Sequence, residues 1–274
     1  RPWSLSEGPV IRARVWRLDA NDHQLIVLMH HIVSDGWSQG LFVRELAALY
    51  DAYSHGRPSP LPELPIQYSD FAVWQRQWAS SPEFDRQMEY WKAALQDPPV
   101  LQLPAVRSAI VAPEPGRGTH KRFFLSRELS RDLRASCQAE GVTVYMAMLA
   151  AFAILLFRYS GQDDVVIGSP VANRDRPEVE GLIGSFMNPL PIRTDLQGNP
   201  SFRELLARVR KSALGVFANQ NVPFDVLVRT LQGRREGAGP PLFQAMFLLQ
   251  NFGLQSLQLS TAGLAAKSYG SLDG

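Results

Sequence analysis

An α+β fold is predicted for this chain of 274 residues by three observations. Ile11, Ala13 and Val15 alternate with Arg12, Arg14 and Trp16, which marks a strand. Several segments that begin with capping residues carry apolar side chains at helical spacing. Between residues 97 and 118, Pro98, Pro99, Pro104, Pro113, Pro115, Gly116 and Gly118 interrupt regular structure, and beyond them the mixed pattern begins again. The chain is therefore expected to hold two α+β parts, residues 1–110 and 111–274, joined by an extended connection.

The first strand covers Val10 to Leu18. Asp19-Ala20-Asn21-Asp22 supplies turn formers, so a second strand, Gln24 to Val33, returns antiparallel and ends in His30-His31-Ile32-Val33. Ser38 is placed to cap a helix whose stripe is Leu41, Val43, Leu46, Ala47, Leu49, Tyr50 and Tyr53, and the prolines after Gly56 stop it. Ser69 or Asp70 starts a helix that reaches Trp78. Ser81-Pro82-Glu83 opens another, in which Phe84, Met88, Trp91 and Leu95 share the face expected to turn inward.

After the proline-rich stretch, a strand is expected at Arg122 to Leu125, then a helix after Ser126 and a break at Gly141. A very apolar helix follows from Val144 to Tyr159, and a strand from Val165 to Gly168. Ser201-Phe202-Arg203-Glu204 is a capping box for a helix to about Ala218. Pro223 starts a short helix, and Leu242 to Leu249 reads as a buried strand.

Composition narrows the function. Lys and Arg number 28 against 26 Asp and Glu, a net charge of +2, which gives no broad field for nucleic acid. The longest apolar stretch, Val144 to Phe157, is shorter than the ~20 residues of a membrane-spanning helix. Cys137 is the single cysteine, so an internal disulfide and a thiolate metal cluster are both excluded, and the cytoplasm is the expected location. The opening Arg1-Pro2-Trp3 shows no leader pattern and suggests a piece of a longer protein.

Three chemistries compete for the stretch His30 to Gly40. A zinc or iron site would use His30, His31 and Asp35, but adjacent residues on a strand point to opposite faces and no other His stands at a ligand spacing. Gly36-Trp37-Ser38-Gln39-Gly40 matches the nucleophile elbow of serine hydrolases. That elbow follows a central parallel strand at once, however, and here only His55 and His120 remain downstream as bases. The third reading makes His31 a lone general base, since an imidazole of ordinary pKa ~6.5 takes a proton from an amine or hydroxyl near neutral pH. Asp35 then holds the turn by an ion pair or a helix cap, and Gly36 leaves space or an unusual backbone angle beside the base. His30 is expected to be a buried, hydrogen-bonded structural imidazole and Ser38 a cap.

His-His-x-x-x-Asp-Gly at 30–36 resembles the active-site motif of condensation domains of nonribosomal peptide synthetases. Tyr68 to Gln75, Ile183 to Leu190, Gln220 to Asp225 and Pro241 to Phe247 look like later motifs of that family, in the same order. The seven-residue signature alone also fits other acyltransferases of the chloramphenicol acetyltransferase type. The resemblance implies two acetyltransferase-like lobes in a V shape, incomplete at both termini: residues 1–110 as the remainder of the N-terminal lobe and 111–274 as the C-terminal one.

The implied activity is peptide-bond formation between a donor acyl or peptidyl thioester and the α-amine of an acceptor aminoacyl thioester. Phosphopantetheine arms of upstream and downstream carrier domains deliver both, an adenylation domain serves the same assembly line, and the chain itself holds no cofactor or metal. By the match, His31 is catalytic, His30, Asp35 and Gly36 shape the site, and Trp37, Ser38 and Asn188 are candidates for the substrate channel. The family also implies an ion pair between Asp35 and an arginine from an upstream segment. Ser34 to Ser38 is similar to the type that joins an L-donor to an L-acceptor. Asn219 stands where many relatives carry histidine, and 233–240 lacks the usual polar lead into Pro241-Leu242-Phe243-Gln244. The piece alone is expected to show little or no condensation. A carrier-docking module without catalysis and a free-standing acyltransferase are the alternatives.

Overall fold

The computed structural model describes residues 3–104, 120–232 and 242–250. They form β1 (Ile11–Asp19), β2 (Asp22–Met29), α1 (Gly36–Ser54), α2 (Tyr68–Trp78) and α3 (Pro82–Ala94). Then come α4 (Arg127–Ala139), α5 (Val144–Ser160), β3 (Asp164–Val171), α6 (Pro177–Glu180), β4 (Asn188–Asp195), α7 (Phe202–Phe217), α8 (Phe224–Gln232) and β5 (Ala245–Met246). Two compact units contain them, residues 3–81 with 172–187, and residues 82–171 with 188–249. The chain passes between the units after Ser81, after Val171, after Met187 and after Leu249. The boundary expected near residue 110 falls within 105–119, and the departure expected at 233–240 within 233–241, both outside the described residues.

In the first unit the alternation of β1 is realised as an antiparallel hairpin, with Ile11 opposite Met29, Arg14 opposite Ile26 and Trp16 opposite Gln24. Its second strand is shorter than expected. The Ile32 amide donates to His30 Nδ1 at 3.1 Å and the Val33 amide to His30 O at 3.1 Å, so a turn replaces the ladder beyond Met29. Helix α1 begins at Gly36 because the Asp35 carboxylate accepts the Ser38 amide at 2.8 Å. Asp35 is thus the cap, and Ser38 lies in the first turn. Helix α2 starts at Tyr68, one residue or more before the expected Ser69 or Asp70, because Asp70 Oδ2 reaches back to the Gln67 amide at 2.7 Å. The unit's buried cluster is Phe71, Val179, Leu182 and Phe186, with Ile66 and Trp74 against it.

The second unit is built on a sheet of order β4-β3-β5. Strand β4 is not among the strands expected from the sequence, and its Pro189 and Pro191 are residues that a central strand disfavours. The register explains it. Pro189 faces Pro170 and Pro191 faces Gly168, while Gly168 O accepts the Phe247 amide on its other side at 2.8 Å. Both prolines therefore sit where a backbone N–H would point away from β3, at the sheet's outer edge. Helix α5, capped by Thr143 and ended by Gly161 at φ 73, buries Leu149, Ala150 and Ala153, and α7 buries Val209 and Ala213. Met88, Trp91 and Leu95 are buried as the stripe of α3 predicts, whereas Phe84 is half-buried.

Two expected strands are corrected. Residues 122–125 form no strand, and Phe123 and Phe124 are 76% and 93% exposed; no ladder among the described residues pairs them, and an extended segment without a partner has nothing to hold it in a sheet. Of Leu242 to Leu249 only Ala245–Met246 pairs, parallel to Ile167 and Gly168. Phe243 lies over Gly168, where a Cβ would collide with its ring, and Leu248 and Leu249 are exposed past the end of the pairing.

Candidate functional site

The site is built where β2 hands over to α1. His30 continues the hairpin through its amide, which donates to Val10 O at 2.9 Å. Its half-buried ring sits edge-on to Trp3 at 5.8 Å. Because Nδ1 accepts the Ile32 amide, the neutral ring carries its proton on Nε2. His30 thus shapes the turn that bears its neighbour. His31 is exposed, and no hydrogen bond, ion pair or ring contact engages its imidazole among the described residues.

Asp35 closes the turn and is buried. Its Oδ1 accepts the Ser38 amide and the Ser38 hydroxyl, both at 2.8 Å, and its Oδ2 accepts the Phe186 amide at 3.0 Å. Arg174 Nη2 stands 3.3 Å from Oδ1 and 3.4 Å from Oδ2. Burial pushes the Asp35 carboxyl up, but the hydrogen bonds from Ser38 and Phe186 and the charge of Arg174 outweigh it, so its pKa lies below the usual carboxylate value. The ion pair expected for Asp35 exists, with a correction: its arginine is Arg174, downstream, on the segment after β3. A buried carboxylate needs a counter-charge, and the Asn173-Arg174-Asp175-Arg176 run was the signal that could have found it.

Arg174 is itself held from several sides. Nη1 donates to Val179 O and Leu182 O, each at 2.7 Å, and the guanidinium lies 4.0 Å from the Phe186 ring centre. Ser38 is fully buried, and its hydroxyl also meets Gly184 O at 2.7 Å, the Gly184 amide at 3.0 Å and Arg174 Nη2 at 3.0 Å. The hydrolase reading fails on this geometry. Ser38 lies inside a helical turn rather than at the apex of a sharp bend, and its oxygen contacts no histidine.

Gly36 opens α1 without a positive φ, and a Cβ there would meet nothing within 4 Å; the unusual backbone angle expected of it is absent, and its open side is what remains. Trp37 donates its indole N–H to Glu180 O at 2.9 Å. Tyr68 donates to Ser185 O at 2.8 Å and lies so close over Gly184 that a Cβ at 184 would collide with its ring. Among the described residues, no three His, Cys, Asp or Glu side chains are placed to share an ion, and no single helix is long and apolar enough to cross a membrane.

Asn188 belongs to the second unit. Its Nδ2 donates to Gln220 O and Val222 O, both at 2.9 Å, and its Oδ1 accepts the Phe224 amide at 3.0 Å. The same stretch is held by α3, where Trp91 Nε1 donates to Asn219 O at 2.9 Å and Gln87 Oε1 accepts the Asn221 amide at 3.2 Å. Asn219 turns its own amide back to Gly215 O at 2.8 Å, finishing α7.

Comparison with known proteins sets these residues in a family. A linear gramicidin synthase of Brevibacillus parabrevis is 46% identical over 274 residues, which cover 96% of this chain and 5% of that protein. Among solved structures, the X-domain bound to OxyB from teicoplanin biosynthesis matches with a TM-score of 0.79 at 27% identity, over 90% of this chain and 55% of that one. The first condensation domain of the CDA synthetase matches at 0.68 and 24% identity, over 89% and 52%, which bears on the fold alone. The mixed helix and sheet arrangement is thus the chloramphenicol acetyltransferase-like fold, of which this chain spans about half the length seen in those structures. A family model described as Condensation domain matches residues 1–272, and the chain belongs to that family.

Proposed function

We propose that this chain is part of a nonribosomal peptide synthetase and forms a peptide bond between two carrier-bound thioesters in the cytoplasm, with His31 as the residue that meets the acceptor amine. The observation that carries this reading is the contrast between neighbours. His30, Asp35 and Ser38 are all committed to bonds that shape the turn, whereas the ring of His31 is exposed and uncommitted.

In the proposed step the acceptor nitrogen attacks the donor thioester carbon, the N–C bond forms and the C–S bond breaks. The proton that leaves the nitrogen passes to the His31 imidazole and then to the departing sulfur, so the donor arm leaves as a free thiol. Asp35 and Arg174 keep the turn in place and take no proton. Trp37 and Asn188 are each proposed as a substrate-channel residue of its own unit, whereas Ser38, fully buried, is withdrawn from that role. Upstream and downstream carrier domains and an adenylation domain are the proposed partners, phosphopantetheine arms deliver both substrates, and the L-donor to L-acceptor type is the proposed stereochemistry.

The test uses the full-length gene product in phosphopantetheinylated form, supplied with ATP and the proteinogenic L-amino acids, with thioester-bound species read by intact mass. Dipeptidyl thioester is expected, and His31→Ala slows its formation on the order of 10²-fold while aminoacyl loading continues. Loading without any dipeptidyl species in the unsubstituted protein would make it a docking module instead.

A further inference from the structure

We infer that Ser38 is a positioning residue for His31: its buried hydroxyl is the joint that holds Asp35 and Gly184 together and so fixes the far post of the turn carrying the catalytic imidazole. The inference rests on the assignment of His31 above and adds a residue that does not touch substrate.

Proton supply around the Ser38 hydroxyl is limited. The Ser38 oxygen has two acceptors within reach, Asp35 Oδ1 at 2.8 Å and Gly184 O at 2.7 Å, and a single hydrogen to give. The ionised Asp35 Oδ1 and Gly184 O therefore share that hydrogen, each within donating distance, and Arg174 Nη2 approaches Gly184 O at 3.5 Å. The oxygen's lone pairs then receive the Gly184 amide and Arg174 Nη2, each at 3.0 Å. One hydroxyl thereby serves a carboxylate, a guanidinium and a backbone amide at zero exposure.

From this joint the path to His31 is short. The turn over 30–33 is fixed on its near side by the hairpin and the His30 ring, and on its far side by Asp35, whose extended backbone leads into α1. Residues 184–186 reach Asp35 from the opposite side through the Phe186 amide, and Ser38 is what ties Gly184 to the helix. Without the hydroxyl, the Gly184 amide is orphaned in the interior and Arg174 loses one of its partners on that nitrogen.

The test compares Ser38→Ala, Ser38→Cys and Ser38→Thr in the full-length gene product, reading the single-turnover rate of dipeptidyl thioester formation beside the extent of aminoacyl loading. Cysteine keeps the volume but bonds poorly, and threonine keeps the hydroxyl. Expected are losses of about tenfold for Ala and Cys, a rate within about twofold of the original for Thr, and unchanged loading throughout. A Cys variant as fast as the original would overturn the inference, since volume alone would then suffice; should the Ala variant not fold, the Cys and Thr rates decide. His31→Ala in the same preparation separates the two proposals. A slow His31 variant beside a fast Ser38→Cys variant removes only the role of Ser38, and an unimpaired His31 variant removes the assignment beneath it.

Discussion

Arg174 Nη2 lies 3.3 Å from Asp35 Oδ1, across 139 residues of sequence and with both side chains buried. Arg174→Met leaves a buried carboxylate without its counter-charge, and a loss of about 3–5 kcal/mol is expected. Asp35→Asn combined with Arg174→Met removes both charges and should cost less than Arg174→Met alone. Urea denaturation followed by tryptophan fluorescence measures all three.

Acid weakens the first unit in a defined window. The folded pKa of Asp35 is depressed, so the unfolded chain takes up its proton first as pH falls. Its contribution is fully present above the unfolded value of about 3.9 and is lost as pH drops from there through the folded pKa. Urea midpoints between pH 6 and pH 3 should fall below about pH 4, and Asp35→Asn should flatten that part of the curve. An equal acid slope in both proteins would contradict the assignment.

Asn188 makes three bonds to the stretch 220–224. Asn188→Ala strands two carbonyls and an amide, at an expected cost of about 2–4 kcal/mol. Asn188→Asp is expected to be no better, because a carboxylate still accepts the Phe224 amide but faces Gln220 O and Val222 O with no hydrogen to offer. Hydrogen exchange at the Phe224 amide distinguishes them: it accelerates in the Ala variant beyond the global loss and stays slower in Asp.

Gly36 and Gly184 should respond in opposite ways to a methyl group. A Cβ at 36 meets nothing within 4 Å, so Gly36→Ala is expected to hold stability within about 1 kcal/mol. A fall in the rate of the proposed condensation would then report a clash with substrate rather than with the fold. Gly184→Ala drives a methyl into Tyr68, and about 1–3 kcal/mol is the expected loss. Tyr68→Ala in the same chain should recover part of it. Thermal denaturation of the four proteins checks both halves.

Much of this was legible in one sequence because local signals and tertiary packing agreed. Ser126 and Ser201 cap the helices their side chains announce, and Trp91 is buried where its stripe places it. The failures came where a long-range partner decides. Strand β4 is a strand because β3 sits on one side and leaves Pro189 and Pro191 facing outward, a condition invisible from the prolines themselves. Phe123 and Phe124 look like a strand, yet no ladder among the described residues meets them. At the site, the motif residues are readable one by one, but the choice of Arg174 rather than an earlier arginine depends on where the chain returns after β3. The work of His30 depends likewise on which ring nitrogen receives the Ile32 amide.

The distance in sequence between the acid and its guanidinium also sets a schedule for synthesis. A ribosome adding about 5–20 residues per second needs roughly seven to thirty seconds to travel the 139 residues from one to the other. During that interval the nascent hairpin and α1 must wait with Asp35 in water or half-satisfied, since residues 172–187 are not yet made. Asp35 thus gains its counter-charge only when synthesis has passed Arg174.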